Sequence, residues 1–346
     1  MKTIATLLAA AVALPASSIY SVTDLGGTVG YSVNNAGAVA GWTQTPTGAQ
    51  QAFVSSSGGT QELSLPAASD TYAYGVNGAG IAVGTSYING QAHGTIWTSS
   101  GATDLGAGVY AMGINDAGEV IGSNGHAFAL ENGQYQDLGT IPGANWSAAY
   151  GINDTGTVVG DGMTASGAFR GIVWSPQGSM QVLGTFGGAN SYAYGVNDGG
   201  EVVGFASLAN GYENAFSLTN GTMTDLGTLG GAGSYAYGVN DSGEIVGYSS
   251  LAGGGTHAFL YSDGVMLDLN SLIAPDSGWE LLAAYGINDA GQITGEGLFN
   301  GVPAAFLLTD PQVSLALPAA ANPVPEPGLL PVLALGLLLL WRRGCA

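Results

Sequence analysis

The sequence predicts an all-β protein: a β-propeller of seven four-stranded blades, flanked by an N-terminal signal helix and a C-terminal hydrophobic helix. Three observations point there. A core of the form aromatic-Gly-Val/Ile-Asn-x-x-Gly-x-Val/Ile-x-Gly recurs seven times, with Ser32, Ala82 and Met112 as single departures. Its copies are evenly spaced, and each interval holds four short strand-like runs separated by Gly, Ser, Asn and Asp. The marker asparagines are Asn34, Asn77, Asn115, Asn153, Asn197, Asn240 and Asn288, spaced by 43, 38, 38, 44, 43 and 48 residues. A period near forty with about four strands per unit is the pattern of propeller blades. An open β-solenoid of the same units is the alternative, distinguished by whether the first and last units touch.

Each strand has its own signature. An Asp-Leu-Gly segment (Asp24-Leu25, Asp104-Leu105, Asp137-Leu138, Asp225-Leu226, Asp268-Leu269, with Glu62-Leu63 and Val182-Leu183 as variants) is read as the first strand of each unit. The second runs into the marker Asn, as in Ser191–Asn197; the third leaves the following Gly, as in Glu201–Gly204; the fourth is the Ala-Phe-Leu-Tyr type, as in Ala258–Tyr261. Strict alternation along the second strand puts Tyr192, Tyr194 and Val196 on one face, with Ala193, Gly195 and Asn197 on the other. The bulky face of one blade is then expected to enter the bare Ala/Gly face of its neighbour. Asn-Asp-x-Gly between the second and third strands reads as a hairpin turn, because Asn and Asp bond nearby backbone and Gly supplies positive φ. On this reading the end repeats are complete, so closing the ring requires no strand exchange between the termini.

Composition narrows the function. The chain has 346 residues, 60 of them Gly, and is 46% apolar but only 8% charged, a balance that folds rather than stays disordered. Four Lys and Arg face 24 Asp and Glu, for a net charge of −20. With Lys2, Arg342 and Arg343 in segments expected to be removed, Arg170 is the one strong cation left in the mature domain. A nucleic-acid partner is excluded, since binding needs cations to displace phosphate counterions. The single Cys345 allows no intrachain disulfide and no cysteine metal site.

The ends read as addresses. Residues 1–18 have the layout of a secretory signal peptide: Lys2, the apolar run Ile4 to Leu14, then small residues. Residues 19–310 hold the repeats, and 311–323 form a Pro/Ala-rich linker. Residues 324–346 carry Pro325-Glu326-Pro327, an apolar run to Trp341, then Arg342-Arg343. That run is short against a hydrocarbon core of about 30 Å, and the arginines keep its C-terminal end cytoplasmic.

Two resemblances rest on these residues. Residues 225–231, 238–247 and 257–259 resemble the extracellular bacterial HAF repeat, whose hallmark is an Asp-Leu-Gly-Thr-Leu-Gly-Gly opening, a Gly-Ile-Asn-x-x-Gly-x-Val-Val-Gly middle and a His-Ala-Phe close. The likeness extends over about residues 24–308, although His-Ala-Phe is complete only at 126–128 and 257–259. The tail resembles a PEP-CTERM sorting signal, carried by Pro325, Glu326, Pro327, Arg342 and Arg343. That resemblance implies recognition by an exosortase-type transpeptidase, a transient inner-membrane anchor, removal of the hydrophobic tail, and a destination on the surface or in the matrix of an exopolysaccharide-producing Gram-negative bacterium.

No catalytic triad is evident. His93, His126 and His257 share one slot with Gln51, Arg170 and Asn214, while Ala304 breaks the series. A donor repeated around a ring is better explained by a structural bond than by a ligand. The rim aspartates Asp116, Asp154, Asp198, Asp241 and Asp289 are weak Ca²⁺ candidates, because Asn-Asp-x-Gly lacks the dense spacing of a dedicated loop and has a turn role already. No other cofactor is implied. Trp146, Trp279 and Tyr212 fall between marker strands, where aromatics either stack on sugars or anchor loops. Two functions follow. One is a non-enzymatic surface or matrix scaffold presenting loops to polysaccharide or surface proteins. The other is a secreted glycoside hydrolase or lyase, which unrepeated acids (Asp70, Glu131, Asp161, Glu213, Asp276, Glu280 and Glu296) gathered at one channel mouth would favour.

Overall fold

The computed structural model describes residues 20–310. They form seven four-stranded antiparallel sheets arranged as a closed ring. The inner strand of the last blade, Trp279–Ile287, packs beside that of the first, Val29–Val33. A closed propeller is therefore formed, not an open solenoid. The expected terminal helices fall outside the described residues. Within them, the one helical element is a 3₁₀ turn at Leu269–Leu272, and no helix is long and apolar enough to cross a membrane.

Blade 5 shows the plan. Its strands are Gly187–Val196 (inner), Val202–Leu208, Glu213–Thr219 and Thr222–Asp225 (outer). The inner and second strands are joined through Asn197, Asp198, Gly199 and Gly200. The Gly200 amide donates to the Asn197 carbonyl at 3.0 Å, and Gly200 takes φ +80°, a conformation that side chains resist. The Gly that ends each Val-x-Gly has a different reason. A Cβ on Gly204 would come within 1.9 Å of the Tyr192 carbonyl oxygen, and one on Gly247 within 1.9 Å of that of Tyr235.

The Asp-Leu-Gly segment is the outer strand of the preceding blade, not the first strand of its own unit. Asp225 pairs with Phe216 because the two-residue turn Asn220-Gly221, both at positive φ, folds this segment straight back on the third strand. The first such segment, Ser21–Asp24, has no third strand before it. It pairs instead with the end of the chain, Ser21 opposite Thr309 and Asp24 opposite Phe306, and completes the last blade. Strand exchange between the termini thus closes the ring, contrary to the expectation that none was required.

Blade stacking also departs from strict alternation. Every inner strand carries a register shift around the marker aromatic; in blade 5 it lies between Ala193 and Gly195. This β-bulge turns Ala193 and Gly195 to opposite sides. Ala193 is fully buried with Val159 of the preceding blade. Gly195 abuts the following blade, where a Cβ would meet the Tyr237 carbonyl oxygen at 2.6 Å. Tyr194, freed by the bulge, reaches the tyrosines of both neighbours instead of a neighbour's bare face. The interface is filled by smaller aliphatics and by Phe: Val203 of blade 5 packs with Ala236, Ile245 and Phe259 of blade 6.

Candidate functional site

The marker asparagines build a closed belt at one end of the central channel. Each is buried, and each Nδ2 donates to the marker backbone carbonyl of the next blade: Asn34 to Asn77 at 2.8 Å, Asn197 to Asn240 at 2.9 Å, and Asn288 back to Asn34 at 2.8 Å. Asn77, Asn115, Asn153 and Asn240 complete the circuit at 2.8–3.2 Å. The other end of each amide serves its own turn, as when Asn197 Oδ1 accepts from the Glu201 amide at 2.8 Å. One side chain therefore folds its hairpin and links its blade to the next.

Outside this belt lies the aspartate rim. Asp154 Oδ1 accepts from the Asp116 amide at 2.8 Å, Asp198 from Asp154 at 2.9 Å, Asp241 from Asp198 at 2.9 Å and Asp289 from Asp241 at 3.0 Å. Asp116 itself accepts from the Gly78 amide at 2.6 Å. The rim and the belt enclose a shallow mouth of about 170 Å³. Partial burial, and then the neighbouring aspartates, push the Asp198 carboxyl above its usual range. These side chains act as inter-blade clasps. Among the described residues no group of three or more His, Cys, Asp or Glu is placed to hold a metal ion.

The histidines hold outer strands. Nδ1 of His93 lies 3.0 Å from Asp104, that of His126 2.9 Å from Asp137, and that of His257 2.6 Å from Asp268. Asn214 donates to Asp225 at 2.9 Å in the same slot. The same aspartates accept from the amide two residues on, Asp137 from Gly139 at 2.7 Å, Asp225 from Gly227 at 2.8 Å and Asp268 from Asn270 at 2.9 Å. The His126 ring, then the Gly139 amide, keep the Asp137 carboxyl below its usual range. Gln51 reaches the Leu63 carbonyl and Arg170 that of Ala189.

Further along the channel from the asparagine belt stands a ring of tyrosines. Ring centroids are 5.0 Å apart for Tyr150–Tyr194 and Tyr194–Tyr237, 5.3 Å for Tyr237–Tyr285 and Tyr31–Tyr74, and 5.5 Å for Tyr31–Tyr285. Met112 takes this place in blade 3. Desolvation raises the hydroxyl pKa of all six tyrosines.

Beside the tyrosines, away from the rim, is one position per blade that does not repeat. The residue after each strand-two glycine is Trp42, Thr85, Ser123, Asp161, Phe205, Tyr248 or Glu296: seven blades, seven amino acids. Several engage the tyrosine ring. The Tyr285 hydroxyl donates to Glu296 at 2.9 Å, and the Tyr150 hydroxyl lies beside Asp161. Asp161 is 1% exposed, and desolvation pushes its carboxyl up to about 7. Nearby, Glu213 lies beside the Tyr235 hydroxyl. Three of the seven unrepeated acids thus share one end of the channel. Sequence reasoning named these acids but missed the slot, although the change of residue after a constant Gly was there to be read.

The loop aromatics differ among themselves. Trp279 stacks on Phe299 at 5.1 Å and Trp146 meets Phe169 edge-on at 5.8 Å, so both anchor their loops, whereas Tyr212 is 55% exposed.

No protein-family model matches the chain, and no curated protein matches it in sequence. Its likeness is to solved structures. A puromycin-hydrolysing peptidase from Mycobacterium tuberculosis is 13% identical with a TM-score of 0.51, over 85% of this chain and 51% of the peptidase. A gluconolactonase from Xanthomonas campestris is 14% identical with a TM-score of 0.41, over 69% of this chain and 86% of the other. TolB from Acinetobacter baumannii is 11% identical with a TM-score of 0.40, over 83% and 64%. At these identities the likeness concerns the fold alone.

Proposed function

We propose that this protein is an exported, non-enzymatic surface or matrix scaffold that associates with exopolysaccharide, delivered through its PEP-CTERM-like tail by an exosortase-type enzyme after transient anchoring in the inner membrane. One observation carries the reading: both ends of the propeller leave from the same face. Ser21 pairs with Thr309, and Gln292, in the last marker turn, reaches Thr309 Oγ1 at 3.5 Å, so the termini emerge beside the aspartate rim. A tether at either end leaves the opposite face, with its tyrosines, Tyr212 and unrepeated acids, directed away from the attachment. The histidines support a binding role, since each is committed to its own blade's outer strand.

The grouping of Asp161, Glu213 and Glu296 favours a second reading, a glycoside hydrolase or lyase on the same scaffold. A carboxyl pushed up to about 7, such as Asp161, is protonated often enough near neutrality to serve as a general acid. The Glu296 carboxyl is, however, already engaged with the Tyr285 hydroxyl. Incubating the purified protein with exopolysaccharide from its own host, and measuring both retention and released reducing ends, separates the two. Retention without release is expected; catalytic release would move the protein to the second reading. Mass spectrometry of the mature C-terminus tests the sorting step, and a species retaining Trp341 would defeat it.

A further inference from the structure

We propose that the tyrosine-ringed end of the channel is a binding site for a neutral, hydroxyl-rich ligand, a sugar unit of a polysaccharide, read by the unrepeated position that follows each strand-two glycine. This deepens the scaffold reading by naming the ligand chemistry, and it rests on that reading.

Two independent observations converge on this position. The first is its variability inside a repetitive chain. On one side stands a glycine in all seven blades, and the inner-strand alanine opposite that glycine is kept in six. A position serving only to hold the blades together would be filled alike in each, as those are. Seven different side chains in one ring instead make an asymmetric lining, with Thr85, Ser123, Asp161 and Phe205 buried and Trp42, Tyr248 and Glu296 partly exposed, which a ligand needs and a symmetric scaffold does not.

The second is polar satisfaction. Four buried side-chain polar atoms among the described residues make no hydrogen bond of good geometry: Trp42 Nε1, which lies beside the Tyr31 hydroxyl, Thr85 Oγ1, Asp161 Oδ1 and Trp174 Nε1. Three of the four belong to this single position. Buried polar groups are ordinarily paired, and leaving one unpaired destabilises a fold. Orphans concentrated at one place in the architecture are the mark of groups kept for something that binds there.

The orphan set selects the ligand class. Trp42 Nε1 only donates, Thr85 Oγ1 does both, and Asp161 Oδ1 accepts when ionised. A hydroxyl group satisfies all three because it both donates and accepts. A cationic amine offers only donors and would leave Trp42 Nε1 unmatched. An anion would meet Asp161, Glu213 and Glu296, with no cation of the described residues in the ring. The surrounding rings supply the other half of sugar recognition, apolar faces against which a pyranose can lie: Trp42 meets Tyr72 at 5.7 Å and Tyr235 meets Tyr248 at 4.8 Å.

The test uses the purified full chain and three near-isosteric substitutions, Trp42→Phe, Thr85→Val and Asp161→Asn, singly and together. Binding of maltohexaose, cellohexaose and mannohexaose is followed by calorimetry, with a hexagalacturonate and spermine as charged comparisons. The expected result is that a neutral hexaose binds more tightly than either charged probe, that each substitution weakens it about tenfold, and that the triple variant abolishes it. The melting temperature of Thr85→Val should equal or exceed that of the parent, because it removes an unpaired buried polar group at unchanged shape, whereas Trp42→Phe also loses ring volume packed on Tyr72 and is read by binding alone. A position kept for packing or internal bonding would give a lower value for Thr85→Val. No binding of any neutral probe, undiminished binding by the triple variant, or tighter binding of spermine would overturn the proposal. Retention on host exopolysaccharide that persists in the triple variant would also overturn it, while leaving the scaffold reading in place with its contact elsewhere.

Discussion

Replacing Asn197 with Ala tests whether the belt of asparagines holds the ring together. Asn197 is buried, and its amide makes two bonds with different purposes: to the Asn240 carbonyl of the next blade at 2.9 Å, and from the Glu201 amide of its own turn at 2.8 Å. Truncation removes both at about 1 kcal/mol each and leaves a buried carbonyl unpaired at roughly 1 kcal/mol or more, so the loss is about 3 kcal/mol. For a domain of this size that corresponds to a fall in melting temperature of about 5 °C. Thermal unfolding followed by circular dichroism reads it directly. Asp198→Ala is the control: it removes one bond, to the Asp154 amide at 2.9 Å, on the exposed rim, and should cost about 1 kcal/mol or less. The seam supplies the sharper comparison. Asn288→Ala breaks the bond to Asn34 that joins the last blade to the first, and in a closed ring it should cost as much as Asn197→Ala. A loss below about 1 kcal/mol at Asn197, or no effect at Asn288 alone, would refute the argument.

Three other substitutions probe different parts of the structure. Gly204→Ala should prevent folding or lower the melting temperature far more than Asn197→Ala, since its Cβ would lie 1.9 Å from the Tyr192 carbonyl oxygen; soluble protein with a parent-like melting curve would contradict the bulged geometry. Tyr194→Ala removes a half-buried ring in contact with Tyr150, Phe205 and Tyr237 and should cost about 3 kcal/mol, measured by denaturant unfolding. Asp161 makes stability depend on pH. Its folded pKa of about 7 lies well above the ordinary aspartate range, so between the two the folded state holds a proton the unfolded state has lost. Stability should therefore fall as pH rises from about 4 to about 7, by an amount on the order of a few kcal/mol. Asp161→Asn should flatten that part of the profile in melting scans, and an unchanged slope would show that the carboxyl is not desolvated.

The architecture was legible in the sequence because propeller blades are local. Each hairpin turn, such as Asn197 to Gly200, is specified by neighbouring residues, and seven copies of one local message announce the ring. The use of the His slot to hold a neighbouring Asp was legible for a similar reason, since a donor that recurs in six of seven units serves the unit. Phase was not legible. A linear repeat has no beginning, so Asp225-Leu226 reads equally well as the start of one blade or the end of the one before. Only the tight turn at Asn220-Gly221, and the pairing of Ser21 with Thr309, settle it. Side-chain direction in the inner strand was hidden too, because alternation assumes one residue per step and the bulge beside Tyr194 inserts an extra one.

What the amino-acid order determined by itself was the repeated and the local: seven units, their hairpins, their polar slot, and the acidic character of the chain. What only the tertiary structure decided was everything that depends on bringing distant blades around one axis. The closed belt of asparagines, the ring of tyrosines, the terminal strand exchange, and the meeting of Trp42, Thr85 and Asp161 at one end of the channel belong to this second kind. The physical reason is that these contacts join residues about forty or more positions apart, often across several blades, and no nearest-neighbour rule of sequence carries that distance.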